Sequence, residues 1–281
     1  MMSSIAINNS GSTSVGIKPQ LLKSEYRKIV YTKTVYGYTL GAIALALLSS
    51  YPAAYAVTKS ADLLNGSSLM DPQMVDGIYG KAISSYLFAM LLGIVFMGNE
   101  YQNGMAISTF LATPVRTHVL RAKMIIAAVA GVILMLISTG FGFIGAYLGL
   151  SNYHHAAPNP STFINLTVAS VVSGAVLAVM GVAIGALIRN VRIATTGSII
   201  YLLVVERLIV LFWSAGGKFL PSGLIVGMMN VHIKGGLHVK KALDINTSDY
   251  LGALPSTLLL LVYAAAFAGI AIYVSLRRDV N

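Results

Sequence analysis

Six long apolar runs constrain this chain more than any other feature. They lie at about Tyr36 to Val57, Ala82 to Gly98, Met124 to Leu150, Phe163 to Ile188, Ile193 to Trp213 and Leu251 to Leu276. Crossing a hydrocarbon layer of ~30 Å by helix takes roughly 20 apolar residues at 1.5 Å rise each, and each run is near or above that length. A backbone in lipid must satisfy its own hydrogen bonds, and these runs are too long and uninterrupted for outer-membrane strands. The expected fold class is therefore an all-α membrane protein with six transmembrane helices. Composition agrees: 56% of residues are hydrophobic and only 10% charged, against roughly 25% charged in soluble domains.

The net charge of +10 reads as topological, because Lys and Arg flank the runs instead of forming one basic domain interleaved with aromatics. Nucleic acid is thereby set aside as a partner; membrane lipids are the expected surroundings. One set of flanks holds Lys18, Lys23, Arg27, Lys28, Lys33, Arg116, Arg121, Lys123, Arg189, Arg192, Arg277 and Arg278. The opposite set holds Lys59, Lys81, Lys218, Lys234, Lys240 and Lys241. Cytoplasmic flanks carry the excess, so both termini are expected in the cytoplasm. Cysteine is absent, which excludes disulfides, thiol catalysis and Cys-ligated zinc.

Three regions divide the chain. Residues 1–17, rich in Ser, Asn and Gly, read as a disordered lead without the apolar stretch of a signal peptide. Residues 18–35 place Leu21, Leu22, Ile29 and Val30 among basic residues, which suits a helix lying in the membrane interface. Residues 36–281 form the six-span domain. Between the fifth and sixth runs, Phe219 to Asn230 (FLPSGLIVGMMN) is apolar but too short and Gly-rich to span, so an outer re-entrant element is expected there.

Enzymatic chemistry finds little support. No Walker A pattern is present, since Gly216-Gly217-Lys218 is followed by Phe219 and lacks the earlier glycine. There is no HExxH, and no span holds the paired acids, Ser-His set or metal ligands that intramembrane catalysis needs. Ser222 and the histidines at 154, 155, 232 and 238 read as loop residues. No catalytic or metal-ligating residue is assigned.

The connection between the second and third runs, Gly98 to Lys123 (GNEYQNGMAISTFLATPVRTHVLRAK), is the most informative stretch. Glu100 stands at the membrane exit and Gly104 one turn later. A short segment with Met105, Ile107, Phe110 and Leu111 follows, then Pro114 and Arg116, with Lys123 before the next span. A glycine turn, a short helix with an apolar tip and a proline break make a protruding knob on a basic rim, suited to docking in another protein's groove.

This stretch resembles the permeases of type-2 ATP-binding-cassette (ABC) exporters. In that family the same connection carries an acidic residue, a Gly-Thr pair, a leucine-rich short helix, a proline, a basic residue, and a lysine opening the third span. Glu100, Gly104, Pro114, Arg116 and Lys123 match in order and spacing; Met105 departs, standing where the family carries threonine. The likeness extends to Glu25 in the interfacial lead, the six-span count and Pro221 in the outer connection. It implies a coupling helix between spans 2 and 3, at which Glu100, Gly104, Met105, Phe110, Leu111, Pro114 and Arg116 meet a pair of ABC ATPase subunits. It further implies a second permease copy or a related permease, and a prokaryotic cytoplasmic membrane. No cofactor is expected in this chain, ATP and Mg being bound by the partner ATPase. The alternative from the residues alone is a membrane anchor or assembly subunit using the same surface to hold a cytoplasmic partner.

Glu206 and Arg207 lie deep in the fifth run, where each charge costs roughly 2.5–3.5 kcal/mol on the insertion scale. They read either as a substrate-path or gating pair or as structural ions fixing helix packing. Glycines 131, 140, 142, 145 and 149 in the third run, and 174, 181 and 185 in the fourth, include small-xxx-small spacings that let helices approach closely.

Overall fold

A computed structural model describes residues 19–63, 67–102, 116–229 and 250–277. Its described residues form helices and connecting turns with no strand. The helices are α1 (Pro19–Tyr31), α2 (Lys33–Leu63), α3 (Pro72–Gly80), α4 (Tyr86–Gln102), α5 (Arg116–Leu150), α6 (Pro160–Ile188), α7 (Val191–Ile200), α8 (Glu206–Phe212), α9 (Pro221–Met229) and α10 (Ala253–Arg277). Six segments are long and apolar enough to cross a membrane: Lys33–Lys59, Pro72–Gln102, Thr117–Leu150, Pro160–Ile188, Val191–Phe212 and Ala253–Val274. The protein is a multi-pass membrane protein whose described residues are all-helical.

The spans depart from the apolar runs mainly at their ends. The second starts at Pro72, ten residues before its apolar run, because Asp71 caps α3 by accepting from the Gln73 N–H at 2.9 Å and Pro72 occupies the first turn. A 3₁₀ stretch, Lys81–Ser85, then joins α3 to α4. At the N-terminal end, α1 stops at Tyr31 and α2 starts at Lys33, three residues before the run begins. The fifth span is not one uniform helix: a π-helical turn, Tyr201–Val205, separates α7 from α8.

Spans 2 and 4 form the centre, with 78% and 61% of their apolar windows buried, while spans 5 and 6 are buried over only 17% each. Glycines set the central contacts. A Cβ at Gly131 would collide with the Gly174 carbonyl and one at Gly174 with the Gly131 carbonyl, so the third and fourth spans cross backbone to backbone. Gly181 likewise faces the Met90 carbonyl and Gly93 the Ala178 carbonyl, joining the second and fourth spans. Gly145 and Gly149 pack on Leu47 and Ala54 of α2, but Gly140 has nothing within 4 Å of an added Cβ and is no part of a crossing. Tyr79, Phe143 and Phe163 close the end of the bundle away from α1, with ring centroids 5.1–6.0 Å apart in edge-on arrangements. There Asp76 accepts from the Asn159 N–H at 3.0 Å and side-chain amide at 2.6 Å, tying α3 to the start of α6.

The turn between the fourth and fifth spans is two residues long. Arg189 takes a left-handed conformation (φ 57°) and donates its N–H to Gly185 at 3.0 Å; Asn190 then caps α7, accepting from the N–H groups of Arg192 and Ile193. The Arg189 guanidinium lies 5.5 Å from the Tyr101 ring centroid, at the end of α4.

Candidate functional site: a buried charge ring and a carboxylate-lined cavity

Besides Asp76, two places among the described residues hold ionisable groups out of water. The first lies where α1, the end of α4 and the start of α5 converge. Glu25 sits on the inner face of α1 and is fully buried. Its Oε1 accepts from Lys28 Nζ at 2.7 Å and its Oε2 from Lys123 Nζ at 2.5 Å. Glu100 Oε1 meets the same two ammonium groups, at 2.6 Å from Lys28 and 2.8 Å from Lys123. The result is a closed ring of alternating charge with no net charge.

The helical repeat builds this ring. Glu25 and Lys28, three apart, share one face of α1; Glu100 and Phe96, four apart, share one face of α4. Lys123 enters between them with no exposed surface, its Nζ 4.3 Å from the Phe96 ring centroid. The ammonium is thus held by two carboxylates and an aromatic face. Lys28 is the more open member, with about a third of its side chain exposed. Burial alone would lower its pKa, but the hydrogen bonds to Glu100 and Glu25 outweigh that and raise it above its ordinary 10.5.

The ring brings together three residues singled out in the sequence, Glu25, Glu100 and Lys123, from positions up to 98 residues apart. Lys28, which completes it, stood out in the sequence only as one more basic flank. Its signal was the i,i+3 spacing to Glu25. The remaining residues of the predicted coupling element, Gly104, Met105, Phe110, Leu111 and Pro114, lie outside the described residues, and Arg116 is described only as the first residue of α5. The ring therefore sits at the base of that connection, on both of its stems.

The second place is at the opposite end of the bundle. Glu206 opens α8, immediately after the π turn, and is 1% exposed. Its Oε2 accepts from the Ser222 N–H at 3.2 Å, in the first turn of α9, where the helix dipole favours a carboxylate. Among the described residues, its Oε1 is buried with no hydrogen-bond partner. The side chain lines a cavity of about 260 Å³ whose wall also carries Lys81, Ser84, Tyr86, Arg207 and Ser222. Glu206 and Arg207, adjacent in sequence, both face this cavity. The functional group that the sequence did not reveal is Ser222, because its role depends on α9 folding back against span 5.

Among the described residues, no group of three or more His, Cys, Asp or Glu side chains is placed to hold a metal ion. Comparison with known proteins gave no matching family model and no similar curated protein.

Proposed function

We propose that this chain is the permease subunit of an ATP-driven ABC exporter, moving a substrate out of the cytoplasm with energy from a separate nucleotide-binding subunit pair. The observation that carries the reading is the charge ring. An element that receives a push from a partner must pass it to the spans through rigid joints. The 103–115 connection is anchored at one stem by Glu100 and near the other by Lys123, and both are locked to α1 through Glu25 and Lys28. A displacement of that connection would thus move α1 and spans 2 and 3 together.

In this reading α1 lies in the cytoplasmic interface of a prokaryotic inner membrane and both termini are cytoplasmic. The connection between spans 2 and 3 carries the coupling helix, with Phe110 and Leu111 at its tip, and α9 is a re-entrant element on the outer side. Two permease copies, or this chain and a related one, pair with two ATPases that bind ATP and Mg. Glu206 and Arg207 belong to the substrate path.

The test is affinity purification from the native membrane in mild detergent, followed by mass spectrometry and an ATPase assay. A roughly stoichiometric P-loop ATPase, lost with Phe110→Asp, is the expected result. Recovery without any ATPase, under conditions that preserve other such complexes, sinks the exporter reading and leaves a membrane anchor for another partner.

A further inference from the structure

One face of α1 carries the charge ring; another borders a groove. Tyr26, Ile29 and Val30 of α1, Tyr36 of α2 and the face of α5 from Ile126 to Ile137 enclose a cavity of about 350 Å³ with a mostly apolar wall. Its length along α5 is about 16 Å at 1.5 Å rise per residue, roughly one leaflet of a ~30 Å hydrocarbon layer. Val129, Ile133 and Ile137 remain exposed along this length, so the groove opens sideways toward lipid.

Tyrosines and cations frame the mouth of the groove at α1. Tyr26 and Tyr36 are both more than half exposed, and the Tyr36 hydroxyl bridges the α1–α2 break by donating to the Val30 carbonyl at 2.9 Å. Tyrosine suits the headgroup level, where its ring meets the apolar layer and its hydroxyl meets water. Three of the residues lining the mouth have an exposed cation three positions earlier on the same helix: Lys23 before Tyr26, Arg27 before Val30 and Lys33 before Tyr36. Residues three apart are neighbours on a helix surface, which puts the three cations at the rim. Among the described residues, the acids at this end of the bundle, Glu25 and Glu100, are buried in the ring, and none of the three cations has a carboxylate partner.

We infer that this groove is a site for an anionic phospholipid, with the headgroup at Lys23, Arg27 and Lys33 and one acyl chain lying along α5. A chain gains little by leaving lipid for an equally apolar groove, so the headgroup decides which lipid is held. Cations without a neighbouring carboxylate favour a headgroup of net negative charge over one that brings its own ammonium. The inference goes beyond the exporter reading and is independent of it, since it requires α1 at a membrane surface but no ATPase.

The experiment is native mass spectrometry of the purified full-length chain titrated with phosphatidylglycerol, phosphatidylcholine and phosphatidylethanolamine of identical acyl chains, and with soluble glycerophosphoglycerol. Phosphatidylglycerol should bind roughly tenfold more tightly than either zwitterionic lipid, and Arg27→Gln/Lys33→Gln should bring it to within about threefold of them. The matched control is Arg121→Gln/Arg192→Gln, which removes two exposed cations from the same end of the bundle but away from the groove and should leave the preference intact. Val129→Trp, at an exposed wall position, should weaken all three lipids by filling the groove. Equal binding of the three lipids by the unmodified chain overturns the site, as does a preference that survives Arg27→Gln/Lys33→Gln. A preference lost equally in the control reduces it to diffuse surface charge and also overturns the site. If glycerophosphoglycerol binds as tightly as the lipid and Val129→Trp changes nothing, the ligand is a soluble anion and the lipid assignment fails.

Discussion

Lys123 has no exposed surface, and its partners among the described residues are Glu25, Glu100 and the Phe96 ring. Removing one partner of a buried ion pair typically costs about 3–5 kcal/mol, because the groups left behind stay desolvated. Lys123→Met should therefore lower stability by about that amount in thermal or denaturant unfolding in detergent. Lys28→Met should cost clearly less, since Lys28 is partly solvated and Lys123 still bridges both carboxylates. Equal losses for the two variants would mean that the ring does not distinguish its buried and open members. The pH dependence has a definite sign. A lysine whose folded pKa is raised contributes stability that is fully present below its unfolded value and lost as pH rises through the folded one. The contribution of Lys28 should thus be complete below about pH 10.5 and decline only above it, and in Lys28→Met that alkaline component of the stability profile should disappear.

Elements in this protein meet through small residues. The fourth span is apolar on all sides, so hydrophobicity gives it no preferred face, and lipid offers the same environment as a neighbouring helix. Gly181 selects the face by letting the Met90 backbone approach where no side chain fits. Gly181→Val should push the second and fourth spans apart, costing about 1–3 kcal/mol or more and reducing the yield of folded protein after extraction. Gly140→Ala is the matched control: with nothing within 4 Å it should stay within about 0.5 kcal/mol of the parent. The small-xxx-small spacings were legible in the sequence, but the difference between Gly140 and Gly181 was not, because it depends on which flank of each helix turns inward. The π turn at Tyr201–Val205 was equally hidden. Nothing in the apolar stretch Tyr201–Val205 signals a wider turn, which is visible only as backbone geometry, directly before the buried Glu206. Such turns recur at functional sites.

Across the described residues, the span count fixes which ends share a side: α1, the end of α4, the start of α5 and the Arg189–Asn190 turn lie on one, and α3, α9 and the start of α6 on the other. The absence of cysteine makes the orientation directly measurable by single introduced thiols. Ser24 and Ser151 are both exposed and lie on opposite sides. With a membrane-impermeant maleimide on intact cells, Ser151→Cys should label at once and Ser24→Cys only after permeabilisation. The reverse pattern would place α1 and its charge ring outside, where no cytoplasmic ATPase reaches them, and would overturn the exporter reading.

By itself, the sequence determined that this is a six-span helical membrane protein, because length and apolarity alone satisfy the demands of a hydrocarbon layer. It also marked Glu206 and Arg207, since an ionisable group within a span must find compensation, and, through the resemblance to exporter permeases, Glu25, Glu100 and Lys123. What it could not supply were the partners, which come from distant positions. Only the tertiary structure closed Glu25, Lys28, Glu100 and Lys123 into a neutral ring, and only the folding of α9 against span 5 brought the Ser222 N–H to the buried Glu206 carboxylate. The reason is physical: insertion into lipid is a property of each segment taken alone, whereas neutralising a buried charge is a property of the segments packed around it.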